Sequence, residues 1–280
     1  MIEFTYSDPD SYSNYFKLYN RCFKKYPSTK NPKYLNWLYN ENPAGKFIGI
    51  DAYEDNQLIG QVGGIPQNFN LNGKKIKILQ PMNVCVDPKY RGQNLFSKMA
   101  GRLLLLAKEK EFSHIIAVAN KPASIAWKKS INPEMIFPLE AVIGYGDLNL
   151  KKLKLENNFF FQIWDSNNIK WRVKNPHNLV KINKIHNKIK LFSPTFTSFI
   201  KVFGFIDNHN YDLNFETINR NFLPNIFIGL IPEISKKYFL NIPNFIKPSP
   251  LNFFVKSLND KNDLIKKGLI YYSYLDFDAY

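Results

Sequence analysis

Apolar residues first recur at helical spacing in DSYSNYFKLYNRCFKKY, residues 10–26. There Tyr15, Phe16, Leu18, Tyr19, Cys22 and Phe23 share a face, and Asp10 or Ser11 can cap the start. NPKYLNWLYNENP reads as a short second helix ended by Pro43. The period then drops to two. KFIGIDAY and LIGQVGGI flank EDNQ, which predicts an antiparallel hairpin. In NFNLNGKKIKI the pair Asn72-Gly73 is a two-residue turn signal, because both residues tolerate positive φ. PMNVCV reads as a further strand of the antiparallel run. A helix over Leu95–Lys110 puts Leu95, Phe96, Met99, Leu103 and Leu106 on one face, with Lys108 and Lys110 at its negative end. The apolar strand HIIAVAN (His114–Asn120) follows. PASIAWKKS then opens a helix with Pro122 in the first turn, where no donor is missed. The expected order is α, α, β, β, β, α, β, α.

From about Asp147 the pattern is less regular and richer in Asn, Phe and Lys. LKLENNFFFQIW reads as linker or strand, and NIFIGLIP, PLNFFVKSL and LIYYSYLDFD are strand candidates. Trp37 precedes Asn42-Pro43 and two strands; Trp171 precedes Asn175-Pro176 and two strands. That echo fits either a duplicated architecture or chance in an Asn-rich chain. The fold class expected is α/β, in two domains, residues 1–145 and 146–280.

Composition narrows the class. With 45% hydrophobic and 16% aromatic residues the chain can build real cores, which excludes a disordered tail. No apolar run approaches the ~20 residues of a membrane span, and MIEFTYSDPD lacks the layout of a secretion signal. Cys22 and Cys85 give neither a disulfide framework nor metal spacing. The expectation is a cytoplasmic protein with no metal and no membrane partner. Thirty-eight basic against 23 acidic residues leave +15, which fits an anionic partner or a compositionally biased genome. KKIKI, KKLKL and KINKIHNKIK alternate charge with apolar residues, the pattern of strands with one solvated face. No zinc finger, RNP-type strand or basic heptad accompanies them, so nucleic acid is not the expected partner.

The stretch VCVDPKYRGQNLF, from Val84 to Phe96, carries the candidate chemistry. Pro88 biases Asp87 toward extended geometry and ends the strand. Gly92 permits positive φ and close backbone approach. Asn94 tolerates the left-handed region and can also cap the helix. Main-chain N–H groups of Gly92, Gln93, Asn94, Leu95 and Phe96 then converge at a helix start, which suits an anion, with Arg91 able to add a contact. An ordinary strand-to-helix turn is the alternative.

VCVDPKYRGQNLFSKM resembles the acyl-CoA-binding motif of the GNAT acyltransferase superfamily, Arg/Gln-x-x-Gly-x-Gly/Ala after a Val-x-Pro strand. Arg91 takes the first place, Asn94 that of the central glycine and Phe96 that of the final small residue, a departure. ANKPASIAW is similar to the family's Asn-x-x-Ala-x-x-x-Tyr segment, with Asn120, Ala123 and Trp127 in those places. The resemblance covers about residues 1–145 and implies a mixed, mainly antiparallel sheet flanked by helices, followed by a second GNAT-like unit walling the acceptor site. It implies that the backbone of Val84, Cys85 and Val86 binds the pantetheine arm, in a slot where that strand splays from HIIAVAN. It further implies that the amides of residues 92–96 cradle the pyrophosphate, that Asn120 contacts the pantetheine side and that Ser124 lies near the cofactor.

The resemblance also implies acyl transfer from acetyl-CoA or another short acyl-CoA to an amine, with the Val86 amide meeting the oxyanion. The family's tyrosine is Trp127 here, and indole is no acid at working pH; Trp127 then leaves that role empty or is simply core. His114, His177, His186 and His209 read as structural or surface residues rather than bases. In YLDFDAY, Asp276 and Asp278 share a face of an extended segment by period two and could bind or deprotonate an amine; a solvated strand end is the other reading. The leading expectation is an N-acyltransferase of a nucleotide-linked amino sugar, of the kind used for surface polysaccharides, because an anionic acceptor suits +15. The alternatives are another amine (antibiotic, small metabolite or protein) or a degenerate protein that binds CoA or nucleic acid without turnover.

Overall fold

The computed structural model describes residues 1–23, 31–145, 148, 158–185, 188–195, 199–207, 211, 224–231, 239–243, 251–259 and 265–277. Its first elements are β1 (Ile2–Tyr6), α1 (Tyr12–Cys22), α2 (Pro32–Tyr39), β2 (Ile48–Glu54), β3 (Gln57–Leu71), β4 (Lys74–Pro81) and β5 (Cys85–Val86). Then come α3 (Leu95–Glu109), β6 (His114–Ala119), α4 (Lys121–Ile131), β7 (Met135–Pro138), β8 (Glu140–Gly144), β9 (Phe161–Gln162) and α5 (Ser166–Val173). The remaining strands are β10 (Lys181–Ile185), β11 (Lys188–Pro194), β12 (Lys201–Asp207), β13 (Asn225–Leu230), β14 (Phe239–Asn241), β15 (Asn252–Ser257) and β16 (Tyr272–Ser273).

These elements form two compact units, neither of them contiguous in sequence. The first holds Met1–Gln67, Lys77–Phe137 and Leu251–Asn262; the second holds Asn68–Ile76, Pro138–Pro250 and Asp263–Tyr280. A single cut at 145/146 therefore differs from this division at three places: the segment Asn68–Ile76 and the strands β8 and β15. The late strand β15 pairs antiparallel with β6, from Asn252↔Ala119 to Ser257↔His114. The early strand β8 pairs with β13 in the second unit, from Asn225↔Gly144 to Gly229↔Glu140. A strand buried on both faces, as FFV of β15 is, reads the same whichever sheet takes it.

The first unit's sheet runs β1-β2-β3-β4-β6-β15-β7, with β5 beside β3. The expected hairpins are present. Asp55 and Asn56 (φ 48° and 62°) join β2 to β3, and Asn72 and Gly73 (φ 52° and 77°) join β3 to β4, both with the paired positive φ of tight hairpin turns. The edge strand β1, antiparallel to β2, was not expected from the sequence. PMNVCV is not one strand: β4 ends at Pro81 and only Cys85 and Val86 resume pairing. On one face α3 and α4 bury Met99, Leu103 and Trp127 against Ile50, Ala52, Leu79, Ile115 and Phe254. Asp51, between Ile50 and Ala52, points the other way, toward Tyr15 of α1, so α1 covers the opposite face.

The second unit's sheet runs β10-β11-β12-β13-β8-β14, with β16 also on β13. Its core gathers Val142, Phe192, Phe203, Phe205, Phe227 and Tyr271. The fold is thus α/β with two mixed, mainly antiparallel sheets flanked by helices. The two Asn-Pro corners share a local structure. Asn42 Oδ1 accepts the Ala44 N–H (3.1 Å) after the helix carrying Trp37, and Asn175 Oδ1 accepts the His177 N–H (2.9 Å) after the helix carrying Trp171. KKLKL lies outside the described residues.

Candidate functional site

The site begins with an irregularity between β4 and β5. Met82 N–H donates to Gly63 O (3.0 Å), yet Cys85 already stands opposite Gln61. Asn83 and Val84 therefore share the space opposite Val62, a β-bulge, and Asn83 takes left-handed backbone (φ 53°) to make it. The bulge has a consequence for the neighbouring strand. β4 and β6 run parallel only at Ile78↔His114 and Leu79↔Ile115. Beyond those pairs β5 follows β3 while β6 follows β15, and the two strands part.

Backbone alternation decides what faces the opening. Asp87 N–H is bonded to Ile59 O of β3 (2.8 Å), so the Val86 N–H and C=O point the opposite way, into the gap. Arg91 Nε reaches back to Val86 O (3.3 Å). The turn itself is anchored. Asp87, buried, accepts the Lys89 N–H (3.1 Å) and pairs with Arg21, whose Nη2 also donates to Leu58 O (2.7 Å). Tyr90 OH donates to Glu54 (2.6 Å). Next, Gly92 (φ 82°) and Asn94 (φ 57°) swing the chain into α3. A Cβ on Gly92 would meet nothing within 4 Å. Asn94 stands at the N-cap but makes no side-chain capping bond, and Lys98 N–H bonds Asn94 O (3.1 Å). The earlier amides of α3 are those a helix leaves without an intrahelical acceptor. Arg91, Gly92, Gln93 and Asn94 are exposed, Leu95 is buried and Phe96 is half-buried.

A strand edge open to a peptide-like arm, beside a helix start open to an anion, is a chemical fit to coenzyme A: amide-rich pantetheine on one and pyrophosphate on the other. Comparison with known proteins points the same way. Residues 3–124 match the Acetyltransferase (GNAT) domain family. The chain carries a GNAT domain. A protein of Amsacta moorei entomopoxvirus, provisionally named a glycylpeptide N-tetradecanoyltransferase, is 24% identical over 76% of this chain and 72% of its own. A GCN5-related N-acetyltransferase from Anabaena variabilis ATCC 29413 superposes with TM-score 0.59 at 10% identity, covering 92% of this chain and 73% of that one. Eis1 from Mycobacterium abscessus gives 0.60 at 8% identity, covering 92% and 74%. These last two likenesses are of fold, and they extend over both units. GNAT domains are those of acyl-CoA-dependent N-acyltransferases, and that is the activity to which residues 3–124 point.

The other sequence candidates are placed as follows. Asn120 caps α4, its Oδ1 accepting the Ala123 N–H (3.0 Å). Ser124 is buried, donating toward Ala119 O (3.2 Å) and Asn120 O (2.9 Å) and accepting from Asn252 Nδ2 (3.1 Å), so its hydroxyl ties α4 to β15. Trp127 is core, edge-on to Phe96 (5.0 Å between centroids) and 5.3 Å from Phe254. Val84 packs half-buried against the core and Cys85 is buried. Burial pushes the Cys85 thiol up, while a hydrogen bond from Cys85 draws the Cys22 thiol down. His114 is buried at the start of β6, with Nδ1 3.1 Å from Ser113 Oγ, and His177 lies in the Asn175 corner.

Asp276 corrects an expectation. It is not on an extended strand but closes a 3-10 turn, where its carboxylate accepts the Ser273 N–H (2.6 Å) and Oγ–H (3.1 Å) in a capping box. Burial raises its pKa to about 6. Those bonds give it a structural role. Asp278, His186 and His209 lie outside the described residues. Among the described residues no cluster of His, Cys, Asp and Glu could hold a metal, and no helix is long and apolar enough to cross a membrane.

The second unit has its own parallel pair, β12 with β13, joined at Lys201↔Asn225 through Phe203↔Phe227. Past that point β13 is met by β16, at Gly229↔Ser273 and Leu230↔Tyr272. Tyr271 OH accepts the Phe205 N–H (2.9 Å) and donates to Phe205 O (2.7 Å). A strand N–H of the kind that lies open at Val86 is thus taken up here by the chain itself.

Sequence reading missed a buried polar network under α1. Asp51, Gln61 and Cys85 stand opposite one another across β2, β3 and β5. Asp51 accepts from Ser7 Oγ (2.6 Å), Tyr15 OH (3.0 Å) and Gln61 Nε2 (3.4 Å), and burial raises its pKa to about 6. Tyr19 OH donates to Gln61 and lies 2.5 Å from Tyr39 OH, which accepts from Asn83 Nδ2 (3.1 Å). Asp51 and Gln61 interrupt otherwise apolar runs, and a buried polar side chain in such a run is the signal that was available.

Proposed function

We propose that this GNAT enzyme moves an acyl group from acyl-CoA to the amino group of a nucleotide-linked amino sugar. The pantetheine arm lies along Val84–Val86, and the pyrophosphate lies on the amides of residues 92–96 beside Arg91. The observation that carries this reading is the parting of β5 from β6 past Leu79 and Ile115, with the Val86 N–H turned into the gap. The amine nitrogen attacks the thioester carbonyl, and the Val86 N–H donates to the oxygen as charge gathers there. The C–S bond then breaks, CoA leaves as thiolate, and the proton lost by nitrogen is returned to sulfur. The acceptor assignment is supported by the net charge of +15, which favours an acceptor bearing phosphate.

A second reading has a specific observation behind it. The viral relative, which covers 76% of this chain, is named for transfer of a tetradecanoyl group to a glycylpeptide, and that favours a long acyl chain and a peptide amine. Thiol release, followed by mass spectrometry of the product, separates the two. Acetyl-CoA and tetradecanoyl-CoA are each paired with a uridine-diphosphate amino sugar and with a peptide beginning in glycine. Turnover of acetyl-CoA with the sugar is expected. Turnover of tetradecanoyl-CoA with the peptide alone replaces the first reading by the second.

A further inference from the structure

The network under α1 has a direction. Tyr19 has one hydroxyl proton, and it goes to Gln61 Oε1, which can only accept. The close contact between Tyr19 and Tyr39 (2.5 Å) must therefore use the proton of Tyr39. The oxygen of Tyr39 is left to accept from Asn83 Nδ2 (3.1 Å). At the other end Gln61 Nε2 donates to Asp51, whose second oxygen takes the Tyr15 hydroxyl. Every donor thus points from the bulge toward one buried carboxylate, and hydrogen bonds aligned this way polarise and reinforce one another. The chain is unsuited to carrying a proton from the reaction. Gln61 accepts at oxygen and donates at nitrogen, so a proton arriving at one atom is not released from the other. What the chain does is hold the Asn83 side chain in a fixed place.

That place matters because Asn83 is the left-handed residue of the bulge (φ 53°). Its backbone sets how Val84 to Val86 re-enter the sheet, and hence where the Val86 N–H is aimed. We propose that Tyr39 and Asn83 are positioning residues for acyl transfer: the hydrogen-bonded chain ending on Asp51 locks the Asn83 amide, and with it the bulge that directs the Val86 N–H at the thioester carbonyl. The proposal rests on the reading above, that the thioester lies along Val84–Val86.

The test uses the full chain and acetyl-CoA labelled with carbon-13 at the carbonyl. A carbonyl that receives a hydrogen bond in a dry site resonates downfield of the free thioester, a local signature that a general loss of stability does not imitate. Tyr39→Phe removes one hydroxyl. Asn83→Gly keeps the left-handed backbone available and removes the amide. Tyr12→Phe, on α1 but outside the chain of bonds, is the control. Unlabelled CoA, titrated by calorimetry, is expected to bind every variant within about 3-fold of wild type, since the helix start is untouched. The downfield displacement is expected to fall to about half or less in Tyr39→Phe and in Asn83→Gly, and no further in the double variant, because both break one linkage. It stays whole in Tyr12→Phe. A displacement retained in Tyr39→Phe, losses that add in the double variant, or no displacement in the wild type while CoA binds, each overturns the positioning role alone. Failure of the wild type to bind CoA at all overturns the underlying reading, and this proposal with it.

Discussion

Replacing Gly92 by valine separates the folded loop from its use. Gly92 has φ 82°, and an L-residue forced there loses about 1–2 kcal/mol, with a β-branched side chain at the upper end. No clash adds to this in the free protein, because a Cβ at Gly92 meets nothing within 4 Å. The unit should therefore fold, with an unfolding midpoint about 4–8 °C lower. Binding is another matter. A pyrophosphate oxygen must come within hydrogen-bond distance of main-chain N–H groups, and the valine methyls stand in that approach. Each charge-assisted bond lost is worth about 1.5–3 kcal/mol, so losing two raises the CoA dissociation constant by about 100-fold or more. Alanine should fall between. Gly101→Ala supplies the control: a Cβ there also meets nothing within 4 Å, but the position is inside α3, so it should gain up to about 1 kcal/mol of stability without changing affinity. Calorimetric titration with CoA and thermal melts read both quantities. A Gly92→Val protein that binds CoA within about 3-fold of wild type would show that the pyrophosphate does not lie on this turn.

The remaining predictions are shorter. Asp51 titrates near 6 in the folded chain against 3.8 when unfolded, so the folded form holds its proton more tightly; this contribution is fully present below pH 3.8 and is lost as pH rises through about 6. The stability of wild type relative to Asp51→Asn, measured by urea unfolding, should fall by up to about 3 kcal/mol between pH 4 and 7, and a difference that does not vary with pH refutes the assignment. Calorimetry should give one CoA per chain, since β16 and Tyr271 occupy the corresponding place in the second unit; a stoichiometry of two contradicts this. Asp276→Ala should cost about 2–3 kcal/mol through the unpaired Ser273 donors yet leave thiol release at saturating acyl-CoA within about 2-fold, whereas a large loss of turnover in a folded protein would return Asp276 to catalysis. Trp127→Ala should cost about 3–5 kcal/mol in urea unfolding, as a core indole between Phe96 and Phe254 requires, and a cost below about 1 kcal/mol would deny that packing.

What could be read from the sequence were features set by one or two residues. Asn72-Gly73 fixes a hairpin because positive φ is a property of the residues themselves, and Gly92 with Asn94 marks the turn into α3 for the same reason. The turn of the candidate site was legible to that extent. Features that depend on a distant partner were not. The bulge lies in PMNVCV, where Asn83 is the residue that tolerates positive φ, but the partner that its amide meets, Tyr39, stands far back in the chain. The exchange of β8 and β15 likewise hides in runs that suit any buried strand. Asp276 departs from its expected extended geometry for a different reason. Period two along YLDFD suggests a strand, but Ser273 three residues earlier supplies the S-x-x-D pattern of a capping box, which takes precedence because it satisfies buried main-chain donors at once.

The same geometry explains why two similar sheets need not share one chemistry. Each has a parallel pair of strands, β4 with β6 and β12 with β13, and each pair is short. In the first unit a bulge held from below by Asp51, Gln61, Tyr19 and Tyr39 sends β5 away from β6 and leaves the Val86 N–H facing an opening. In the second, Gly229 lets another strand come close: a Cβ there would lie 1.9 Å from Tyr272 O. Tyr271 then takes both main-chain groups of Phe205. In the second unit a glycine admits β16 and a tyrosine satisfies the strand edge, so that place is filled by the chain itself. In the positioning role proposed for Tyr39 and Asn83, the hydrogen-bonded chain that ends on Asp51 is what keeps the corresponding place in the first unit open.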